Sequence, residues 1–163
     1  TSRMCSASQL IADSGLSPFK VKDIYMIIRP YPIRISKKTN IGEDVYSGDY
    51  AGSAEITWEE VKRKCGCNIN LEEYTTITKK VRRVFEMNWE RLKYNVMINK
   101  PTQIVLNFAQ YIDWKAYKCK EFSLLPQKVM EFINKIEKET NTPVTIIGTG
   151  ERESDIIDLR KGE

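Results

Sequence analysis

Residues 126–150 read PQKVMEFINKIEKETNTPVTIIGTG, and this stretch decides the fold class. Pro126 begins a segment in which apolar residues recur at helical spacing, which predicts a helix to about Thr140. The positions predicted to face the core are Val129, Ile133 and Ile136. The apolar run at 144–147 then predicts a short buried strand that ends in Gly-Thr-Gly. A helix followed by a buried strand is typical of α/β proteins.

The same alternation extends toward the N-terminus, and it predicts an α/β fold with a layered sheet and flanking helices. Further helices are predicted at 6–14, 58–64 and 88–98, and further strands at 21–35, 74–85, 103–108 and 155–159. Thr57 and Glu60 have the spacing of a capping box. The run 24–28 is continuously apolar, which predicts a strand covered on both faces. The polar segment 36–53 is predicted to be a long functional loop.

Size and charge limit the classes of protein to consider. The chain has 163 residues, which suits one domain or a large part of one, and no apolar run approaches the roughly 18 residues of a membrane helix. Residues 1–8 lack the apolar block of a signal peptide, so we expect a cytoplasmic protein. The start at Thr1 rather than Met leads us to expect further chain upstream.

Several common sites are missing from the sequence. It contains neither GxxxxGK[ST] nor GxGxxG, so the sequence predicts no phosphate loop of its own. It contains no histidine, which removes an imidazole base. The four cysteines fit no zinc spacing, so we expect reduced thiols and no metal site; they are Cys5, Cys65, Cys67 and Cys119.

The segment Thr75–Arg83 is the first candidate site. It combines three hydroxyls with two lysines and two arginines, and guanidinium groups match carboxylate and phosphate oxygens. On an extended chain Thr78, Lys80 and Arg82 would share one face. A solvated basic edge strand fits the same composition equally well.

Two further candidates follow predicted strands. Gly148-Thr149-Gly150 lies at a strand's carboxyl end, where ligands bind in open α/β sheets. Asn107 and Phe108 follow the strand at 103–108 and could hold a base. An ordinary turn and a core phenylalanine remain the simpler interpretations.

Taken in order, these segments resemble the C-terminal portion of the adenylosuccinate synthetase family. The resemblance uses residues 29–35, the segment Ile56–Val61 followed by Thr75–Arg83, and the closing stretch Pro143–Gly150. It implies a carbon–nitrogen ligase that consumes L-aspartate, a purine nucleoside monophosphate and ATP or GTP with Mg²⁺. It also implies a homodimer that binds neither membrane nor nucleic acid. The catalytic aspartate, the phosphate loop and most Mg²⁺ ligands would lie in an N-terminal part outside residues 1–163, so the chain alone is expected to be inactive.

The resemblance also implies roles for individual residues. Aspartate or the transferring phosphate would contact Thr76, Ile77, Thr78, Lys80 and Arg82. The purine monophosphate would contact Thr1, Arg34, Ile35 and Ser36. The base of the triphosphate would contact Asn107, Phe108, Gln110, Gly148, Thr149 and Gly150.

Two departures from the family pattern concern specificity. Lys80 stands where the family usually has arginine, and Ala109-Gln110 occupy the stretch where an aspartate reads guanine. With overall likeness to the short archaeal-like and phage branch, this favours dGMP and ATP, giving a precursor of 2-aminoadenine DNA in a host cytoplasm. A cellular enzyme using IMP and GTP is the alternative.

Two readings from other classes of protein remain open at this point. The basic segment 79–83 could serve a nucleic-acid-binding module, although Glu72 and Glu73 adjoin it. The segment 36–53 could instead be the binding surface of a non-catalytic interaction domain.

Overall fold

The computed structural model describes residues 6–34 and 52–160, together with the backbone of two short strands between them. The helices are α1 (Ala7–Ser14), α2 (Trp58–Cys65), α3 (Trp89–Asn99) and α4 (Gln127–Thr140). The strands are β1 (Tyr25–Ile28), β2 (Ile33–Arg34), β3 (Ser36–Lys38), β4 (Asp44–Tyr46), β5 (Glu55–Ile56), β6 (Arg83–Phe85), β7 (Gln103–Leu106), β8 (Val144–Gly148) and β9 (Ile156–Asp158). Short 3₁₀ turns lie at Pro18–Lys20, Ala109–Tyr111, Trp114–Ala116 and Phe122–Leu124.

The four predicted helices are confirmed, and local capping explains their ends. Both halves of the capping box are present at α2, since the Thr57 side chain accepts from the Glu60 N–H and the Glu60 carboxylate accepts from the Thr57 N–H. The Asn88 side chain accepts the Arg91 N–H at the start of α3. Gly15 and Gly66 close α1 and α2 in the left-handed conformation.

The main sheet has the strand order β1-β7-β8-β9. Strands β1, β7 and β8 are parallel, and β9 runs antiparallel to β8. Helix α4 covers the sheet, with Val129 and Ile136 fully buried against Ile104, Leu106 and neighbouring residues. The predicted α/β class is therefore confirmed. Because β1, β7 and β8 point the same way, the residues that follow them meet at one edge of the sheet.

A second, smaller layer lies beside this sheet. Strands β2, β6 and β5 form an antiparallel sheet in that order. It packs with α2 around a cluster that includes Trp58, Val61, Val84 and Tyr111. Tyr111 follows β7 of the main sheet, so this cluster joins the two layers.

The prediction of one strand over 21–35 was wrong. β1 ends at Ile28 and β2 begins at Ile33, and the two belong to different sheets. Pro30 and Pro32 lack the N–H groups that would continue a ladder. Burial on both faces was wrong too, since the Ile27 side chain is 68% exposed. Among the described residues, β1 pairs with β7 alone.

Two other predicted segments also differ. The loop predicted over 36–53 contains the backbone hairpin β3–β4, in which Ser36 lies opposite Tyr46. The strand predicted over 74–85 is reduced to an isolated bridge between Tyr74 and Val81 and the three residues of β6. No described helix has the length and apolar character needed to span a membrane.

Candidate functional site

The basic segment forms a tight turn. The Thr75 N–H donates to the Lys80 carbonyl at 2.9 Å, and the Lys79 N–H donates to the Thr75 carbonyl at 3.1 Å. Lys79 adopts a left-handed conformation with φ of 51°. Thr78, Lys80 and Arg82 were expected to share one face of an extended chain. This expectation is wrong, because the turn, with the left-handed Lys79, separates Thr78 from Lys80 and Arg82.

Hydroxyl groups hold this turn from inside. The Thr75 and Thr78 hydroxyl oxygens lie 2.5 Å apart, and the Thr75 hydroxyl also accepts the Lys80 N–H at 3.0 Å. Thr75 is 8% exposed, whereas Ile77 at the tip is 92% exposed. The hydroxyls of Thr75 and Thr78 thus shape the loop, and the tip at Thr76–Ile77 faces outward.

Arg82 follows the turn, and hydrogen bonds to both of its backbone polar groups fix its position. Its N–H donates to the Glu73 carbonyl at 2.8 Å, and its carbonyl accepts the indole N–H of Trp58 at 2.7 Å. Its neighbour Arg83 forms an ion pair with Glu55 on β5, with Nε at 2.8 Å from Oε1. Ionic pairing of these arginines leaves less positive charge for a nucleic-acid backbone than the sequence suggested.

One carboxylate lies at the centre of the described site. Glu73 forms a bidentate pair with Arg29, at 2.5 and 3.1 Å, and lies 3.5 Å from Nη1 of Arg82. The Tyr111 hydroxyl donates to the same carboxylate at 3.2 Å. Burial raises the pKa of Tyr111, and the charge of Glu73 raises it further. Two guanidinium groups share one carboxylate, so this cluster keeps a net positive charge.

Arg29 was missed by sequence reasoning. It follows β1 directly, and its guanidinium lies 4.4 Å above the centre of the Phe108 ring. Phe108 holds this position from a left-handed backbone with φ of 63°. The position of Arg29 at a strand's carboxyl end was the available signal, whereas its partner Glu73 lies 44 residues away in the chain.

Two grooves flank this cluster. The larger, of about 920 Å³, is lined by α1, β1 and α3, and Arg29, Asn107 and Phe108 lie on its wall. The second, of about 510 Å³, lies between the start of α2 and the segment at 80–84. Its charged lining residues are three cations and three carboxylates: Lys80, Arg82, Arg83, Glu55, Glu59 and Glu72. The structure therefore brings Lys80 and Arg82 together at one groove and Asn107 and Phe108 together at the other.

The Gly-Thr-Gly turn is filled by the protein itself. The buried Thr149 hydroxyl lies 2.8 Å from the Cys119 carbonyl and 3.1 Å from the Asp155 carbonyl, and it can donate to either. A Cβ on Gly148 would lie 2.6 Å from the Asn107 side chain, and one on Gly150 would lie 2.6 Å from the Asp155 carboxylate. These glycines make room for neighbouring side chains, which differs from the expected close approach of a ligand.

Comparisons with known proteins show which sequences and structures this chain is similar to. No family model matches the sequence. The chain is 32% identical over 161 residues to adenylosuccinate synthetase of Thermococcus sibiricus and 33% identical over 160 residues to that of Methanocaldococcus jannaschii. These alignments cover 99% and 98% of the chain but 42% and 41% of the relatives. This chain is a homologue of the adenylosuccinate synthetases. It corresponds to a C-terminal portion and spans about two fifths of their length.

Solved structures support the same relationship. One is the cyanophage S-2L succinoaminodeoxyadenylate synthetase (PurZ) bound to dGMP and dATP as an energy donor, with a TM-score of 0.71 and 28% identity. It is matched over 99% of this chain and 41% of its own. The adenylosuccinate synthetase of Plasmodium falciparum has a TM-score of 0.76 over 98% of this chain and 45% of its own, and at 18% identity it supports the fold alone.

The remaining predicted residues of this synthetase homologue are only partly described. Arg34 lies on β2 opposite Arg83 of β6. Thr1 and Ile35 lie outside the described residues, and Ser36 is described only as backbone in β3. Gln110 is 5% exposed, and its amide oxygen has no hydrogen-bond partner within the described part of the chain. It therefore lies in the protein interior next to the groove residues Asn107 and Phe108.

The described residues of this synthetase homologue were also considered as possible metal ligands. They contain no group of three or more His, Cys, Asp or Glu side chains placed to hold an ion. Cys65, Cys67 and Cys119 are free thiols, and the first two are buried.

Proposed function

We propose that this chain forms the aspartate- and nucleotide-binding part of a carbon–nitrogen ligase. The γ-phosphate of a nucleoside triphosphate would move to O6 of a 6-oxopurine nucleoside monophosphate. The amine of L-aspartate would then attack C6, and the phosphate would leave with O6. Such chemistry depends mainly on positioning and on neutralising charge.

One observation carries the proposal. Lys80 and Arg82 line the same groove, and Arg82 is held by its backbone and by Glu73. An ammonium and a guanidinium on one wall match the two carboxylates of aspartate or the oxygens of a transferring phosphate. Thr76, Ile77 and Thr78 form the adjoining turn and are proposed to add backbone and hydroxyl contacts.

The nucleotides belong to the same proposal. We assign the triphosphate base to the side of Asn107 and Phe108, with Gln110 framing it from the interior. The turn Gly148–Gly150 is assigned to this site as the support of the Asn107 side chain, which lies against Gly148. Arg34, with Thr1, Ile35 and Ser36, is assigned to the monophosphate.

We propose dGMP and ATP as the nucleotides, giving the 2-aminoadenine precursor. The 28% identical cyanophage enzyme is described with dGMP and dATP, which supports this choice. Gln110 supports the choice of ATP over GTP as the triphosphate. A carboxylate at this position would accept from both N1–H and N2–H₂ of guanine, whereas the amide of Gln110 offers one acceptor and one donor group. IMP and GTP, as in a cellular synthetase, are the alternative, and the archaeal relatives are named as adenylosuccinate synthetases.

The rest of the machinery is proposed to lie outside this chain. The phosphate loop, the catalytic aspartate and the Mg²⁺ ligands would belong to the portion of the relatives' length that the chain does not span. The isolated chain would accordingly be inactive. The complete enzyme is proposed to be a cytoplasmic homodimer, in a host cytoplasm if phage-encoded.

An aspartate-incorporation assay tests this function. The complete protein containing this chain is incubated with labelled aspartate and each pairing of dGMP or IMP with ATP or GTP. We expect aspartate-dependent product with dGMP and ATP, and none from residues 1–163 alone. Product only with IMP and GTP would reject the phage-type specificity, and no product with any pair would reject the ligase.

The Lys80 position gives a second readout in the same assay. Lys80→Gln removes one of the three cationic side chains that line the second groove, so the KM for aspartate should rise by about tenfold, equivalent to about 1.4 kcal/mol. Lys80→Arg restores the residue that the family usually carries and should keep the KM near that of the unsubstituted protein. An unchanged KM in Lys80→Gln would contradict the assigned aspartate site.

A further inference from the structure

Glu73 stands between the two grooves. Arg29 lies on the wall of the larger groove and Arg82 on the wall of the second. The Glu73 carboxylate contacts both guanidinium groups, at 2.5 and 3.1 Å for Arg29 and 3.5 Å for Arg82. The two grooves are therefore joined by a single side chain that lines neither of them.

Low exposure makes this carboxylate important to both arginines. The side chains of Arg29, Glu73 and Arg82 are 16%, 17% and 28% exposed. Both Nε atoms are buried without a hydrogen-bond partner in the described residues. Arg29 and Arg82 thus both form their ionic contacts with Glu73 in the part of the chain that the structure describes. Partly buried pairs are weakly screened, so losing the carboxylate would leave two cations that repel each other.

The same cluster connects the loop to the residue that follows β1 and to the segment after β7. Arg29 stacks on Phe108, and Tyr111 donates its hydroxyl hydrogen to Glu73. Glu73 also anchors the backbone of Arg82 through its carbonyl. Direct contacts therefore connect Phe108 and Arg29 to Arg82 through Glu73.

We propose that Glu73 is a positioning residue that makes aspartate binding at Arg82 depend on Arg29 and Phe108 in the other groove. This inference rests on the proposed function, which assigns aspartate to the groove of Lys80 and Arg82. Glu73 touches no substrate and acts by fixing the guanidinium of Arg82. Arg29 helps to fix the Arg82 guanidinium through Glu73, although Arg29 itself lines the larger groove, which is assigned to the nucleotide.

The test separates the KM for aspartate from kcat in the complete protein. Glu73→Gln keeps an acceptor for Tyr111 but removes the charge, and we expect the aspartate KM to rise by about tenfold while kcat changes by less than about threefold. Arg29→Gln should also raise the aspartate KM, and Arg29→Lys should recover part of that loss. Glu90→Gln is the control, since Glu90 is a surface carboxylate paired with Lys93 on α3, and it should leave both constants unchanged.

Each outcome decides between the possibilities. A lower melting temperature in Glu73→Gln with an unchanged aspartate KM, measured well below melting, would show a purely structural role and overturn the inference. If Glu73→Gln does not fold, Arg29→Lys keeps every charge and must still raise the aspartate KM. An unsubstituted protein without aspartate-dependent turnover would overturn the proposed function itself, together with this inference.

Discussion

The Gly148–Gly150 turn and the Thr75–Arg83 segment are both candidate ligand sites in the sequence, but their side chains are used differently. At the turn, the space beside both glycines is taken by Asn107 and Asp155, and the buried Thr149 hydroxyl faces two backbone carbonyls. In the basic segment, Lys80 and Arg82 line a groove. Glycines and a threonine hydroxyl can be fully satisfied by packing and hydrogen bonds within the protein. Arg82, in contrast, shares the Glu73 carboxylate with Arg29, so this cluster keeps a net positive charge that can attract an anion.

The substitution Gly150→Ala tests this comparison with the largest expected effect, because it adds a methyl group where the turn is filled by the protein. A Cβ there would lie 2.6 to 3.0 Å from three atoms of the buried Asp155 side chain. Gly150→Ala should therefore lower the free energy of unfolding by about 3 kcal/mol, the upper part of the range for overpacking. Chemical denaturation of the chain measures this.

Gly148→Ala is the matched control for that substitution. Its closest neighbour is the amide oxygen at the end of the Asn107 side chain, which can rotate away. The loss should therefore be smaller than for Gly150→Ala. Equal losses, or none, would mean that the turn is not filled by Asp155 and that its space is open to a ligand.

Removing the Thr149 hydroxyl tests whether the polar groups of the turn are used within the protein. Thr149→Val keeps the shape of the side chain but leaves the Cys119 carbonyl without its 2.8 Å donor. The free energy of unfolding should fall by about 2 kcal/mol, the cost of an unsatisfied buried polar group. Thr149→Ser retains the hydroxyl and should lose less. If Thr149→Val instead unfolds like the unsubstituted chain, the hydroxyl is available for other contacts.

Helices and their caps were predictable from the sequence because their determinants are local. The capping box of Thr57 and Glu60 lies within four residues, and Gly15 ends α1 in the conformation that glycine favours. In α4, Val129, Ile133 and Ile136 are buried as their spacing predicted. The order of these elements was sufficient to predict the α/β class.

The site was harder to predict because it depends on contacts between distant residues. Glu73 meets Arg29 across 44 positions and Tyr111 across 38, and no local pattern relates them. The residue types at Lys80 and Arg82 predicted a ligand site, which stays a prediction, and both side chains line one groove. The extended conformation assumed for the segment was wrong. A β-rich composition at 74–85 could not reveal a turn that is closed by the Thr75 side chain.

Lys79 tests the turn conformation of the basic segment directly. Its φ of 51° places a lysine where glycine is favoured, so Lys79→Gly removes steric cost while it adds freedom to the unfolded chain. We expect a net stabilisation of about 0.5 kcal/mol, read from the denaturation midpoint. Lys120→Gly is the control, because Lys120 is exposed and is not among the residues with positive φ. It should destabilise the chain slightly. If Lys79→Gly also destabilises it, the segment is extended, as its composition suggested, and Lys80 and Arg82 would again share a face with Thr78.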